Sequence, residues 1–141
     1  MKKSVKIVLL AVLVLVVFAG LYATKEYNRT YSSAEKLKPA YTYDAIELVK
    51  EFETDESTAN RNLNDQVIAV RGSISKIELN DTTQTLLLGG HPFSGAVLCQ
   101  FSPGYERELA KLKEGDTVMV KGICTGMLMD VILIRCAFHK P

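Results

Sequence analysis

Residues 66–79 read QVIAVRGSISKIEL, and this stretch constrains the fold more than any other part of the chain. Ile68, Val70, Gly72 and Ile74 fall on one face and Val67, Ala69, Arg71 and Ser73 on the other. That period of two marks a half-buried strand. Beyond Gly72 the apolar phase slips to Ile77 and Leu79, as an extra residue near Ser75 and Lys76 would cause. A long strand that bends at a glycine can hydrogen-bond into two sheets, which a small closed barrel requires.

The rest of the C-terminal half supplies the partners. Gln84–Leu88 is a second strand after the Asn80-Asp81 turn signal, and Ala96–Phe101 is a third, with Val97, Cys99 and Phe101 on one face. Gly89–Gly95 is the loop between them. Tyr105–Lys113 reads as a short helix that turns Leu109 and Leu112 inward. Residues 117–126, TVMVKGICTG, put Val118, Val120, Gly122 and Cys124 in phase. After the Met127–Asp130 loop, VILIRCAFH puts Ile132, Ile134, Cys136 and Phe138 in phase. Three strands, a helix and two strands predict a five-stranded OB-type barrel over residues 66–139. A sandwich would need more strands, and alternating β/α units more helices.

The N-terminus reads differently. MKKSVK leads into IVLLAVLVLVVFAGLYA, residues 7–23, without a charge. Such a run spans about 26 Å as a helix, at the short limit for a bilayer. Lys2, Lys3 and Lys6 favour a cytoplasmic N-terminus, and Tyr22 falls at an interfacial position. A cleaved signal peptide is the rival, but its Val17-Phe18-Ala19 site would cut inside the apolar run. Residues 1–24 are therefore taken as an uncleaved single-pass anchor, with the remainder exported under either reading; the expected address is the bacterial inner membrane. Residues 1–40 carry seven Lys/Arg against two acids, and residues 41–141 ten against fourteen. The basic part suits anionic headgroups. The acidic part argues against sequence-independent nucleic-acid binding, which relies on neutralising phosphates.

Residues 25–40 are polar, with Ser32, Ser33 and Pro39, and read as a linker. Residues 41–65 form an acidic helical segment that opens the 41–141 domain. Asp44 and Glu47 have capping-box spacing, and Ala45, Leu48, Val49 and Phe52 share a helical face. Thr54 is placed as the cap of a second short helix holding Ala59 and Leu63. Glu51, Glu53, Asp55 and Glu56 lack the glycine turn of a calcium loop and read as a solvated face. The expected fold is thus mainly β: an OB barrel preceded by short acidic helices and a transmembrane helix.

Taken in order, VIAVRGSISKI, VLCQF, the pattern L-x-x-L-x-x-G-D-x-V-x-V-x-G-x-C-x-G from Leu109 and VILIRC, led by Asp55-Glu56 and Ala59-Asn60, resemble the tRNA_anti-like family. The resemblance covers residues 43–139. It implies an OB fold akin to anticodon-binding domains, often exported, with no agreed ligand and no catalytic residues.

Three cysteines, Cys99, Cys124 and Cys136, fall on inward faces and lack C-x-x-C spacing, so neither zinc nor a thioredoxin-like pair is indicated. Export permits a disulfide, Cys124–Cys136 first and Cys99–Cys136 second, while buried free thiols remain the alternative. His91 and Phe93 occupy a glycine-rich loop that lacks phosphate-loop spacing. Arg71, Lys121 and Arg135 point outward on strands adjacent in an OB barrel and form a candidate basic stripe. The Gln84–Leu88 strand has no aromatic on which a base could stack. No enzyme signature, metal site or cofactor is expected. The functional expectation is a membrane-tethered, exported binding module for an envelope protein or oligosaccharide, with contacts at Asn80-Asp81, the His91 loop and Met127–Asp130. Single-stranded nucleic-acid binding through the basic stripe is the alternative.

Overall fold

The computed structural model describes residues 2–30, 34–90 and 94–140. The chain divides into two units, Met1–Ser32 and Ser33–Pro141. The first is one helix, α1 (Lys2–Thr30). Its stretch Lys3–Lys25 has mean hydropathy 2.8 and no buried residue. Its 23 residues extend about 35 Å at 1.5 Å per residue. By length and composition, α1 is able to cross the ~30 Å apolar core of a membrane.

The second unit is organised by β2 (Val67–Leu79). Its first half, Val67–Ser73, pairs antiparallel with β5 (Thr117–Met127). Its second half, from Ile74, pairs antiparallel with β3 (Gln84–Leu88). Then β3 pairs with β4 (Val97–Phe101), β4 runs parallel to β6 (Val131–Phe138), and β6 pairs with β5. The β2–β5 pairing closes these five strands into a barrel, as the strand order anticipates. The slip read near Ser75 is a bulge between Ile74 and Lys76. A Cβ on Gly72 would stand 2.8 Å from the Ala45 Cβ and 3.2 Å from that of Leu88. The glycine therefore lets the next layer press against the bend.

A sixth strand, β1 (Tyr41–Asp44), runs parallel to the first half of β2, on the edge that β3 leaves free. The sequence pattern does not announce it. Directly after it come α2 (Ala45–Thr54) and α3 (Glu56–Leu63). Asp44 caps α2, accepting from the Ile46 amide at 3.1 Å. Asp55, rather than Thr54, caps α3: its carboxylate accepts from the Thr58 amide and hydroxyl, while the Thr54 hydroxyl bonds back to Lys50. Those Thr58 bonds hold the Asp55 carboxyl below its ordinary value. Leu48, Val49, Phe52, Ala59 and Leu63 bury themselves against one end of the barrel. A short helix, α4 (Glu106–Leu109), follows β4 at the other end and buries Leu109. Burying side chains of this size contributes about 1.5–3 kcal/mol each.

One strand departs from its expected phase. In β6 the residues that join the barrel core are Val131, Leu133 and Cys136, while Ile132 and Ile134 are half-buried on the outer face. The cause is a bulge. Ile123 pairs with Ile134 and Lys121 with Ala137, so Gly122 alone faces both Arg135 and Cys136. Arg135 takes a left-handed conformation, φ +53°. The extra residue restores Cys136 to the core after the phase has started on Val131. A Cβ on Gly122 would meet the Cys136 Sγ at 2.5 Å and the Ile134 carbonyl oxygen at 3.1 Å.

Within the segment read as a linker, α1 continues to Thr30, and Ala34–Lys36 form a 3-10 turn seated on β5 and β6. Ala69, Lys121 and Ala137 lie side by side on the outer face of three strands, and all are buried. Lys121 Nζ donates to the carbonyls of Glu35 at 2.6 Å and Leu37 at 3.0 Å.

Two outcomes follow from this packing. Gly122→Ala lowers the unfolding free energy of a 34–141 fragment by about 1–3 kcal/mol in urea denaturation. Adding Cys136→Ala recovers part of that loss, because the two positions share one space. Separately, Tyr43 and Tyr105 are both pushed up to about 12, chiefly by burial, then by the hydrogen bonds and charges of Glu51 and Glu35. Folding favours their neutral phenols, so that contribution is complete below the ordinary value of 10 and disappears as pH rises towards 12. Phenolate absorbance and thermal melts taken together will show stability falling across that window.

Candidate functional site

The bend in β2 and the arrival of β1 leave an open hollow on the outer face of β1, β2 and β5. Cross-strand register sets its contents: Asp44, Arg71 and Met119 are neighbours on three strands, and Ser73 lies opposite Thr117. Arg71 is exposed and makes no ion pair among the described residues, although Asp44 stands beside it. One hollow of about 460 Å³ runs from Arg71 past Ser73, Ser75 and Ile46 to Gly89 and Gly90. A second of about 740 Å³ runs from Arg71 past Thr42 to Val118 and Met119. They share Asp44, Arg71 and Thr117.

The walls are fixed by local bonds. Gly89 and Gly90 have φ of +68° and +88°, which turns the chain sharply at the end of β3. The Gly89 amide donates to the Ser73 carbonyl at 2.8 Å. Ser75 Oγ donates to the Leu87 carbonyl at 3.1 Å and Ser73 Oγ to that of Gly115 at 3.4 Å. Each serine oxygen still has lone pairs to offer a ligand. One Asp44 oxygen is committed to capping α2 and the other is not.

The residues singled out from sequence scatter. Arg71 and the glycine loop come together in this hollow, although His91 and Phe93 lie outside the described residues. Lys121 leaves the stripe, because its ammonium is buried under residues 35–37. Arg135 sits half-buried in the β6 bulge, and Met119 rather than Lys121 pairs with Arg71, so the cations form no continuous row. All three cysteines are buried free thiols. Leu133, not Cys136, lies across from Cys124, while Cys136 contacts Cys99, and burial followed by that contact drives its thiol well up. Of the β5–β6 loop, Met127 packs against the core, whereas Leu128 and Met129 are 85% and 86% exposed. Asp130 pins that loop by accepting from the Ala96 amide at 2.8 Å. Asp44, Ser75 and Thr117 were not legible as site residues, since only the register brings them to Arg71.

Two other surfaces contrast with this one. On the outer face of β3, β4 and β6, Leu87, Leu98 and Ile132 form a row, with Thr85 opposite Gln100, and this set offers neither aromatic nor cation. A hollow of about 730 Å³ near α4 contains Lys121, Glu35, Glu108, His139 and Lys140, of which Lys121 is engaged by the carbonyls and Glu35 stands by Tyr105. No cluster of three metal-ligating side chains occurs among the described residues.

Comparison with solved structures agrees with the barrel. A crystal structure from Klebsiella pneumoniae subsp. pneumoniae MGH 78578, provisionally described as a nucleic acid-binding lipoprotein, aligns with TM-score 0.57 at 14% identity. The alignment covers 70% of this chain and 91% of that one. An OBody bound to hen egg-white lysozyme aligns at TM-score 0.45 and 18% identity, over 52% of this chain and 78% of its own. Aspartyl tRNA synthetase from Entamoeba histolytica gives TM-score 0.43 at 15% identity, over 73% of this chain and 21% of that one. No curated protein matches the sequence. The model of one family, however, matches residues 1–138, and by that match the chain belongs to the tRNA_anti-like family.

Proposed function

We propose that this chain is a binding module rather than an enzyme, tethered by α1 to the bacterial inner membrane with its barrel on the exported side, and that the Arg71 hollow receives its ligand. One observation carries the reading. An exposed arginine without an ionic partner among the described residues stands where two hollows meet, among hydroxyls and main-chain groups. Exposed charges of that kind are ordinary on a flat surface, but convergent polar groups in a concavity are the usual mark of a ligand site.

Support for nucleic acid as the ligand is thinner. Non-specific single-strand binding combines a cationic groove with stacked aromatics. The row Leu87, Leu98 and Ile132, with Thr85 and Gln100, provides neither; Lys76, across from Leu87, is paired with Glu78, and Lys121 is spent on the chain's own carbonyls. The provisional description of the Klebsiella protein belongs to a chain 14% identical, which supports the shared fold alone.

Amide shifts of a labelled 34–141 fragment, titrated with a small-molecule fragment library and with dT10 at two salt concentrations, test this reading. Hits will move Arg71, Ser73, Gly90 and Thr117, and dT10 will leave the spectrum unchanged. Salt-sensitive dT10 binding that moves Thr85, Leu87, Leu98 and Gln100 instead would establish the nucleic-acid alternative. A periplasmic reporter fused after residue 141 is expected to be active. A silent periplasmic reporter beside an active cytoplasmic one would reverse the orientation.

A further inference from the structure

We infer that the ligand of the Arg71 hollow is an uncharged oligosaccharide, an inference that rests on the site reading above. The lining is balanced in charge. Among the described residues Asp44 and Arg71 are its two charged side chains, adjacent in register yet not ion-paired with each other. An anion would gain from Arg71 and lose beside the Asp44 carboxylate, and a cation the reverse. A neutral ligand avoids both penalties and uses both groups as strong hydrogen-bonding partners.

The chemistry asks for a ligand whose groups both donate and accept. Arg71 only donates, and the Asp44 oxygen not engaged by the helix only accepts. Thr117 does either, while Ser73, whose hydroxyl hydrogen goes to the Gly115 carbonyl, accepts. Vicinal sugar hydroxyls present this alternation along a chain. The apolar side chains fit as well. Ile46, 55% exposed, borders one hollow and Met119 the other, giving two patches for the C–H faces of sugar rings on either side of Arg71. Two hollows joined end to end at Arg71 suit several linked rings better than one. The face is that of β1, β2 and β5, and β1 exists as a strand only because residues 41–44 fold back along β2.

Calorimetry on the full chain, held in a detergent without a sugar headgroup, provides the test. The probes are cellotetraose, maltotetraose and chitotetraose, with inorganic phosphate and dT10 as charged comparisons. At least one tetrasaccharide will bind with an affinity that is the same at low and high salt. Asp44→Asn, which keeps a capping side chain, and Arg71→Met, which keeps an apolar stem, will each weaken binding roughly tenfold or more. Thr117→Val, a smaller change to the same wall, gives an independent variant if either of these is misfolded by circular dichroism. Binding of phosphate or dT10 alone, weakened by salt and lost in Arg71→Met, would leave the site standing and overturn the sugar. Tetrasaccharide binding indifferent to all three substitutions would overturn the site as well, and so would silence from every probe.

Discussion

Barrel closure depends on one strand holding hydrogen bonds in two directions. Residues Val67–Ser73 of β2 pair with β5, and residues from Ile74 onward pair with β3. A straight, regular strand would keep the same neighbour along its length, and the sheet would stay open. The turn is achieved by a residue without a side chain, Gly72, next to a residue out of register, Ser75. Each has a cost: glycine in a strand loses backbone entropy, and the bulge gives up ladder bonds. Both are offset by a core whose central side chains, Ile68, Val70, Leu86, Leu88, Val97 and Leu133, are fully buried. The same bend frees the edge of β2 on which β1 lies, so barrel and candidate site have one origin.

Much of this was legible beforehand. Alternation and turn signals together identified every barrel strand, and the slip at Ser75 was visible because apolar residues changed face. The β6 bulge was hidden for the opposite reason. VILIRCAF is apolar on both faces at its start, so either phase satisfied the pattern, and the pairing with Gly122 made the choice. β1 escaped because four residues are too few to show a period, and Tyr41–Asp44 gains its strand only by pairing with β2. The candidate site was half-legible. Arg71 and the glycine loop are each visible in the sequence, but their meeting depends on which strands are neighbours.

Lys121 shows how a correct local reading can mislead about function. Its outward phase on β5 was right, and on a bare barrel it would be a solvent-facing cation. The polypeptide itself covers that face. Taking an ammonium out of water costs several kcal/mol unless its donors are satisfied, so a buried lysine has to be matched by acceptors. Carbonyls at 2.6 and 3.0 Å provide them, from a segment whose sequence looks like a spacer. The small residues Ala34, Ala69 and Ala137 make room for the contact.

That contact also determines how the domain would respond to load. A pull arriving along the chain from residue 33 would reach the Ala34–Leu37 turn first, and through Lys121 it would be passed to β5. The helices α2 and α3 and the strand β1 lie downstream of this clasp, so they would stay slack until it gave way. β5 is a poor place for a structure to fail, because it is hydrogen-bonded on both sides, to β2 and to β6. Tension entering at that turn would therefore be borne by the middle of the sheet rather than peel it from an edge.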